Sequence, residues 1–300
     1  MICCLAAAGA LFGALFFAGS AGAIERGKIK IVAIMVHDEA MGRLKEPSGL
    51  FFDETKARLY VSDSGNNRLV SFDKDFIYLS EFSHEGFSLP VGLAKTGSGD
   101  FFVLDAKSGT FKFIDMKNKA VRPFEIKGIP AASEKFVPGR FTVDGQGNIY
   151  VIDRSNKRII VADFEGGFKA AVVLKKVATD FYGFNDVRAA NGLLYALDTM
   201  ASRIYVFDGK GELKTSFSVA ADEGLTFPAS IGVGKNAVYV AYKHTGTIGV
   251  FSDKGAFQYV LAKKGQKEDE LYGPSYIDID ATGRIYVIDG NRVQVFAEEK

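Results

Sequence analysis

Cysteine is nearly absent from the 300 residues: there are two, Cys3 and Cys4. Past them the chain has no disulfide, no thiolate nucleophile and no covalent haem attachment, so packing alone must hold it together. Tryptophan is missing, there are 7 prolines, and the 3 histidines (His37, His84 and His244) each stand in a different local context. Such a set offers no histidine-rich zinc centre. No sign of charge dominates either, with 37 Lys and Arg against 36 Asp and Glu and no basic block. This argues against nucleic acid as a partner, because binding to a phosphate backbone needs a concentrated cationic surface.

The first 23 residues, MICCLAAAGALFGALFFAGSAGA, carry no charged side chain and end in Ala21-Gly22-Ala23. An apolar run followed by a small-x-small site reads as a signal peptide, with a retained anchor as the alternative. The expectation is export to the periplasm or the extracellular space. Residues 24–300 then form a single domain, without stable membrane insertion once the leader is cleaved.

What is abundant is repetition. The run Tyr60-Val-Ser-Asp63 returns as Phe101-Phe-Val-Leu-Asp105, Tyr150-Val-Ile-Asp153, Tyr195-Ala-Leu-Asp198, Tyr239-Val-Ala-Tyr242 and Tyr286-Val-Ile-Asp289, with their final positions spaced by 42, 48, 45, 44 and 47 residues. Five units open behind a proline, as in PSGLFFD from Pro47 and PSYIDID from Pro274, whereas the fourth opens FNDVRA from Phe184. Each unit reads as short β-runs of β-branched and aromatic residues bounded by Gly, Asp and Asn. Four antiparallel strands, six times over, make an all-β, six-bladed β-propeller. The last unit lacks a fourth run, and IKIVAIM at 29–35 precedes the first unit unassigned. Placing that N-terminal strand at the edge of blade six closes the ring and removes an unpaired seam.

The composite P-x-G-[I/L]-x-x-D … [I/L]-Y-V-x-D-x-x-N-x-R-[I/L]-x-x-F-D, fullest at Pro47–Asp73 and well kept at Pro138–Asp163, is similar to the NHL repeat. The resemblance spans nearly all of 28–296 and implies a six-bladed propeller of the exported bacterial type. It leaves function open, since that family includes binding modules, scaffolds and some enzymes.

Asp63 and Arg68, Asp153 and Arg158, and Asp198 and Arg203 share a five-residue spacing across a turn, and Asp289 and Arg292 repeat the pairing over a shorter one. A turn clamp is needed in every blade, whereas a catalytic group is needed once, so these pairs are expected to be structural. Blade two has Thr110 in place of the Arg, and blade five has lost both members, showing Tyr242 and Thr247. Tyr242 and His244 are therefore candidates for contact with a ligand. Two positions past each unit's opening residue stand Gly49, Gly92, Arg140, Asp186, Ser230 and Tyr276. A polar ligand at the tunnel mouth would meet Arg140, Asn185, Asp186 and Tyr276.

The glycine-rich TGSGD and DGQGN join strands within a blade and lack the strand-to-helix setting of a nucleotide site, and no G-x-S-x-G elbow occurs. No catalytic residue, metal ligand or cofactor is assigned. The main expectation is a non-enzymatic propeller that presents one face to a protein, a ligand or an extended polymer. The alternative is a metal-assisted hydrolase or lyase at the tunnel mouth, of a calcium type built from carboxylates and amides.

Overall fold

The computed structural model describes residues 25–96, 98–174, 180–220 and 224–299; the leader at 1–23, with Cys3 and Cys4, lies outside the described residues. Six four-stranded antiparallel sheets follow one another along the chain, with a small two-stranded ribbon at His37–Asp38 and Gly42–Arg43. The innermost strands are Pro47–Asp53, Pro90–Lys95, Pro138–Val143, Asp186–Ala190, Pro228–Val233 and Pro274–Ile279. Each contacts the innermost strand of the next blade, and the sixth returns to the first, which closes a ring around a central tunnel. The face on which these strands begin is the upper face, and the one on which they end is the lower face.

Blade six is completed by the N-terminal strand Lys28–Met35, which pairs antiparallel with Arg292–Glu299 from Lys28 opposite Glu299 to Met35 opposite Val293. The expected closure is present. The chain thus has no unpaired seam between its first and last blades. Deleting residues 25–35 is expected to uncover the apolar cluster that joins Val293 and Val295 to Leu50 and Leu59. The shortened chain should elute as aggregate in size-exclusion chromatography and show no cooperative melt.

The period-two pattern of the strands is what divides the core. Along the second strand of blade four, Leu194 and Ala196 pack toward blade three, while Tyr195 and Leu197 pack toward blade five. Both sides of each sheet are therefore buried, and one apolar cluster fills each junction between blades. This explains why the second strands read as nearly unbroken apolar runs rather than as alternating ones.

The proline at the start of a unit leaves a local mark. In blades one, two, three, five and six the pairing of the innermost strand slips just after the proline. Blade four lacks the proline, begins at Asp186 and pairs without a slip. A bulge bends the strand and re-aims its side chains, here at the rim of the tunnel. At this level blades one and two touch backbone to backbone: a Cβ on Gly49 would lie 2.9 Å from the Gly92 Cα. Among the described residues no helix is long and apolar enough to cross a membrane.

Candidate active site

The Asp of each turn does more than pair with an Arg. Asp63 accepts from Arg68 Nε at 2.7 Å and Asn66 Nδ2 at 2.8 Å, and also from the Lys45 N–H at 2.7 Å. That third bond ties the turn to the loop that brings the chain into the blade. Asp153 repeats it with Arg158 Nε, Asn156 Nδ2 and the Val137 N–H. Asp289 does so with Arg292 and the Tyr272 and Gly273 N–H groups. Asp198 takes four backbone N–H groups, from Tyr182, Gly183, Met200 and Ala201, while Arg203 donates to Ser216 Oγ at 3.4 Å. These carboxylates are buried within their own blades. Replacing Asp63 by Ala would leave Arg68 with Glu81 alone, Asn66 with the Arg43 carbonyl alone and the Lys45 N–H without this acceptor, and is expected to cost about 2–4 kcal/mol in a urea melt.

In blade five the Tyr242 side chain is fully buried in the junction with blade four, and its hydroxyl donates to the Val219 carbonyl. It takes over the tie to the preceding loop that Asp makes elsewhere. His244 is exposed at the upper rim, edge-on to Phe227 at 6.2 Å, in a cavity it shares with Lys243, Lys264 and Tyr272.

Around the axis the other candidates come together. Asp186 is fully buried and accepts from Arg188 at 2.8 Å, Ser230 Oγ at 2.7 Å and the Ile231 N–H at 2.9 Å, with Arg140 at 3.2 Å. Burial works to raise its carboxyl, and the two guanidinium groups and these bonds outweigh it and hold it below the usual range. Arg140 also donates to the carbonyls of Ala229 at 3.2 Å and Ser275 at 2.8 Å. Tyr276 lies between the two guanidinium groups, whose carbons stand 5.2 Å (Arg140) and 4.5 Å (Arg188) from its ring centre. Burial pushes the Tyr276 phenol up to about 12. Asn185 stays exposed at the upper mouth, with its Oδ1 accepting from the Thr199 N–H at 3.0 Å.

This network plugs the tunnel and divides it. Above it is a cavity of about 420 Å³ and below it one of about 530 Å³, with Tyr276, Phe141 and Leu93 in the walls of both. The lower cavity holds two groups that position-by-position reading missed, Arg188 and Asp278. They stand two residues further along the innermost strands than Asp186 and Tyr276, on the same side of each strand. Arg188 is only 7% exposed, yet its Nε–H makes no hydrogen bond and lies 3.9 Å from Asp278 Oδ1. Asp278 opens on the cavity and accepts from the Ile279 N–H at 3.1 Å. Burial pushes its carboxyl up to about 6, against the opposing pull of Arg188. Across the cavity Lys95 pairs with Asp53, which also accepts from Thr55 Oγ1 at 2.6 Å. Among the described residues no group of three or more His, Cys, Asp or Glu side chains is placed to hold a metal ion.

No protein-family model matches the chain, and no curated protein matches it by sequence. Solved structures do share its fold. A catalytically inactive histidine-to-alanine variant of virginiamycin B lyase from Staphylococcus aureus, with quinupristin, aligns with a TM-score of 0.61 at 15% identity, over 84% of this chain and 80% of that one. Selenomethionine-substituted virginiamycin B lyase from the same organism aligns with a TM-score of 0.61 at 13% identity, over 90% of this chain and 99% of that one. A streptogramin B lyase aligns with the same score of 0.61 at 12% identity, covering 91% and 98%. The class is therefore a six-bladed propeller with the architecture of these lyases.

The comparison corrects two expectations. The three propellers named above are lyases, and on this likeness the reading of a non-enzymatic binding protein is set aside. The periplasmic or extracellular location is set aside on the same likeness to virginiamycin and streptogramin B lyases.

Proposed function

We propose that the protein is a lyase-type enzyme whose reaction takes place in the lower half of the tunnel, with Asp278 as the base and Arg188 as the electrophilic partner. One observation carries the reading: a carboxyl raised to about 6 faces an unbonded, buried guanidinium N–H across 3.9 Å in a cavity. A base with that pKa is mostly ionised at neutral pH and still basic enough to take a proton from carbon beside a carbonyl. Arg188 Nε–H would donate to the carbonyl oxygen as negative charge builds there, in a site where a fixed donor acts strongly. Elimination follows when the C–H electron pair forms the new double bond and the leaving group departs. The cavity's acids, Asp53, Glu54, Asp144 and Asp278, outnumber its cations, Lys95 and Arg188. This favours a neutral or cationic substrate. None of the three histidines lines this cavity, so proton transfer here falls to a carboxylate. The scaffold itself we place with NHL-type repeats, on the composite motif of blades one and three.

The test is turnover of quinupristin and a panel of neutral and cationic lactones and depsipeptides, followed by mass spectrometry from pH 5 to 9. A lyase leaves the combined mass of the substrate unchanged, whereas hydrolysis adds one water. The expected rate rises through pH 6 to a plateau. No turnover across the panel, or products that have gained water, would overturn the reading.

A further inference from the structure

The upper half of the tunnel is chemically unlike the lower. Its wall contains no Asp or Glu, but it does contain Arg140, Arg154 and Asn185. Around these lie apolar side chains from blades two to four, among them Leu104, Phe141, Ile152 and Phe184. A concave apolar pocket with a few convergent polar groups is the usual form of a small-molecule site.

All the polar groups here can donate. Arg140 is held by two carbonyls and Asp186, and its side chain keeps 31% exposure, toward the tunnel. Arg154 leans over the mouth because position 139 has no side chain: a Cβ there would lie 3.0 Å from Arg154 Cγ and 3.3 Å from its Cδ. Among the described residues no carboxylate pairs with Arg154: in its own turn Asp153 pairs with Arg158, as Asp63 pairs with Arg68 and Asp289 with Arg292 in two other turns. Asn185 commits its Oδ1 to the Thr199 N–H, which leaves its amide N–H groups as the donors it can offer at the mouth. Blade two contributes Ala106 and Gly109 to the rim, at the turn where Thr110 has replaced the clamp Arg.

We propose that this upper vestibule is a second ligand site, one that takes an organic carboxylate on an apolar body, separate from the reaction site below the plug. The carboxylate is recognised by the Arg154 fork and the outward edge of Arg140, a planar match that a neutral group cannot make. The apolar body lies against Phe141, Ile152 and Phe184, and Tyr276 and Arg140 form the floor.

The probes are benzoate, phenylacetate, 1-naphthoate and octanoate, each set against its primary amide, in isothermal titration of the full chain. At least one carboxylate should bind about tenfold or more tightly than its amide, as expected for a charge-assisted pair. Arg154→Ala, an exposed substitution, should weaken that binding about tenfold and leave the thermal midpoint unchanged. Asp278→Asn should leave the affinity for the carboxylate where it was, because the plug stands between the two cavities. Equal affinity for acid and amide, unchanged affinity in Arg154→Ala, or no binding by any of the four acids would overturn the proposal. Loss of binding in Asp278→Asn would mean that the probes occupy the lower cavity, and would overturn it as well.

Discussion

Asp278→Asn is expected to abolish turnover and to stabilise the protein at neutral pH. The loss of rate should be about 100- to 10,000-fold, the usual contribution of a positioned base. Stability moves the other way. The Asp278 carboxyl titrates at about 6 in the folded chain against an ordinary value of 3.8. A raised carboxyl contributes stability that is whole below the unfolded value and is lost as the pH rises through the folded one. The asparagine variant avoids that loss. Its thermal midpoint should match the parent's below pH 4 and exceed it by several degrees above pH 7, for a gain of about 1–2 kcal/mol. A residue kept for packing would give the opposite sign, so paired melts at pH 4 and pH 8 separate the two roles.

Among single substitutions, Asp186→Ala should have the largest effect on stability. Its carboxylate is fully buried and takes a charge-assisted bond from Arg188 on its own strand and pairs with Arg140 of blade three. Removing it leaves Arg140 without a carboxylate partner and Arg188 with only the more distant Asp278, the two guanidinium groups on either side of Tyr276. The expected cost is about 3–5 kcal/mol in urea unfolding, as for other broken buried pairs. The paired change Asp186→Leu with Arg188→Met should recover much of that loss, because it removes the stranded charge along with its partner. Acid should weaken the parent in the same way. The Asp186 carboxyl lies below its ordinary value of 3.8, so its contribution is present above that pH and fades as the pH falls through the lower, folded value.

The fold could be read from the chain because each blade restates the same local rules. The proline openings, the Asp-ended second strands and the glycine turns agree with one another in unit after unit, and such agreement across levels is what specifies a structure. The spare strand at 29–35 and the missing fourth strand of the last unit even located the closure. The candidate site was only half legible. Arg140, Asp186 and Tyr276 were found by counting two residues past each opening. Arg188 and Asp278, two residues further on, were read as ordinary strand positions within FNDVRA and PSYIDID. Their signal was present. The fifth position of the six units reads Phe51, Ala94, Thr142, Arg188, Gly232 and Asp278, and a charge pointing toward the axis is costly unless it has a partner or a task. Tyr242 failed in the other direction. Its departure from the Asp pattern resembled a contact surface, whereas the phenol fills the blade junction and takes over the tie to the loop. A substitution within a repeat does not by itself separate loss of a clamp from its replacement by another group.

The most direct test is the titration of the Asp278 carboxyl itself, followed by ¹³C NMR on the full chain, with the resonance assigned by its disappearance in Asp278→Asn. A midpoint near 6 is predicted, set by burial against the pull of Arg188. A midpoint near the ordinary 3.8 would show a solvated or fully paired carboxylate, and would remove the base on which the proposed chemistry depends.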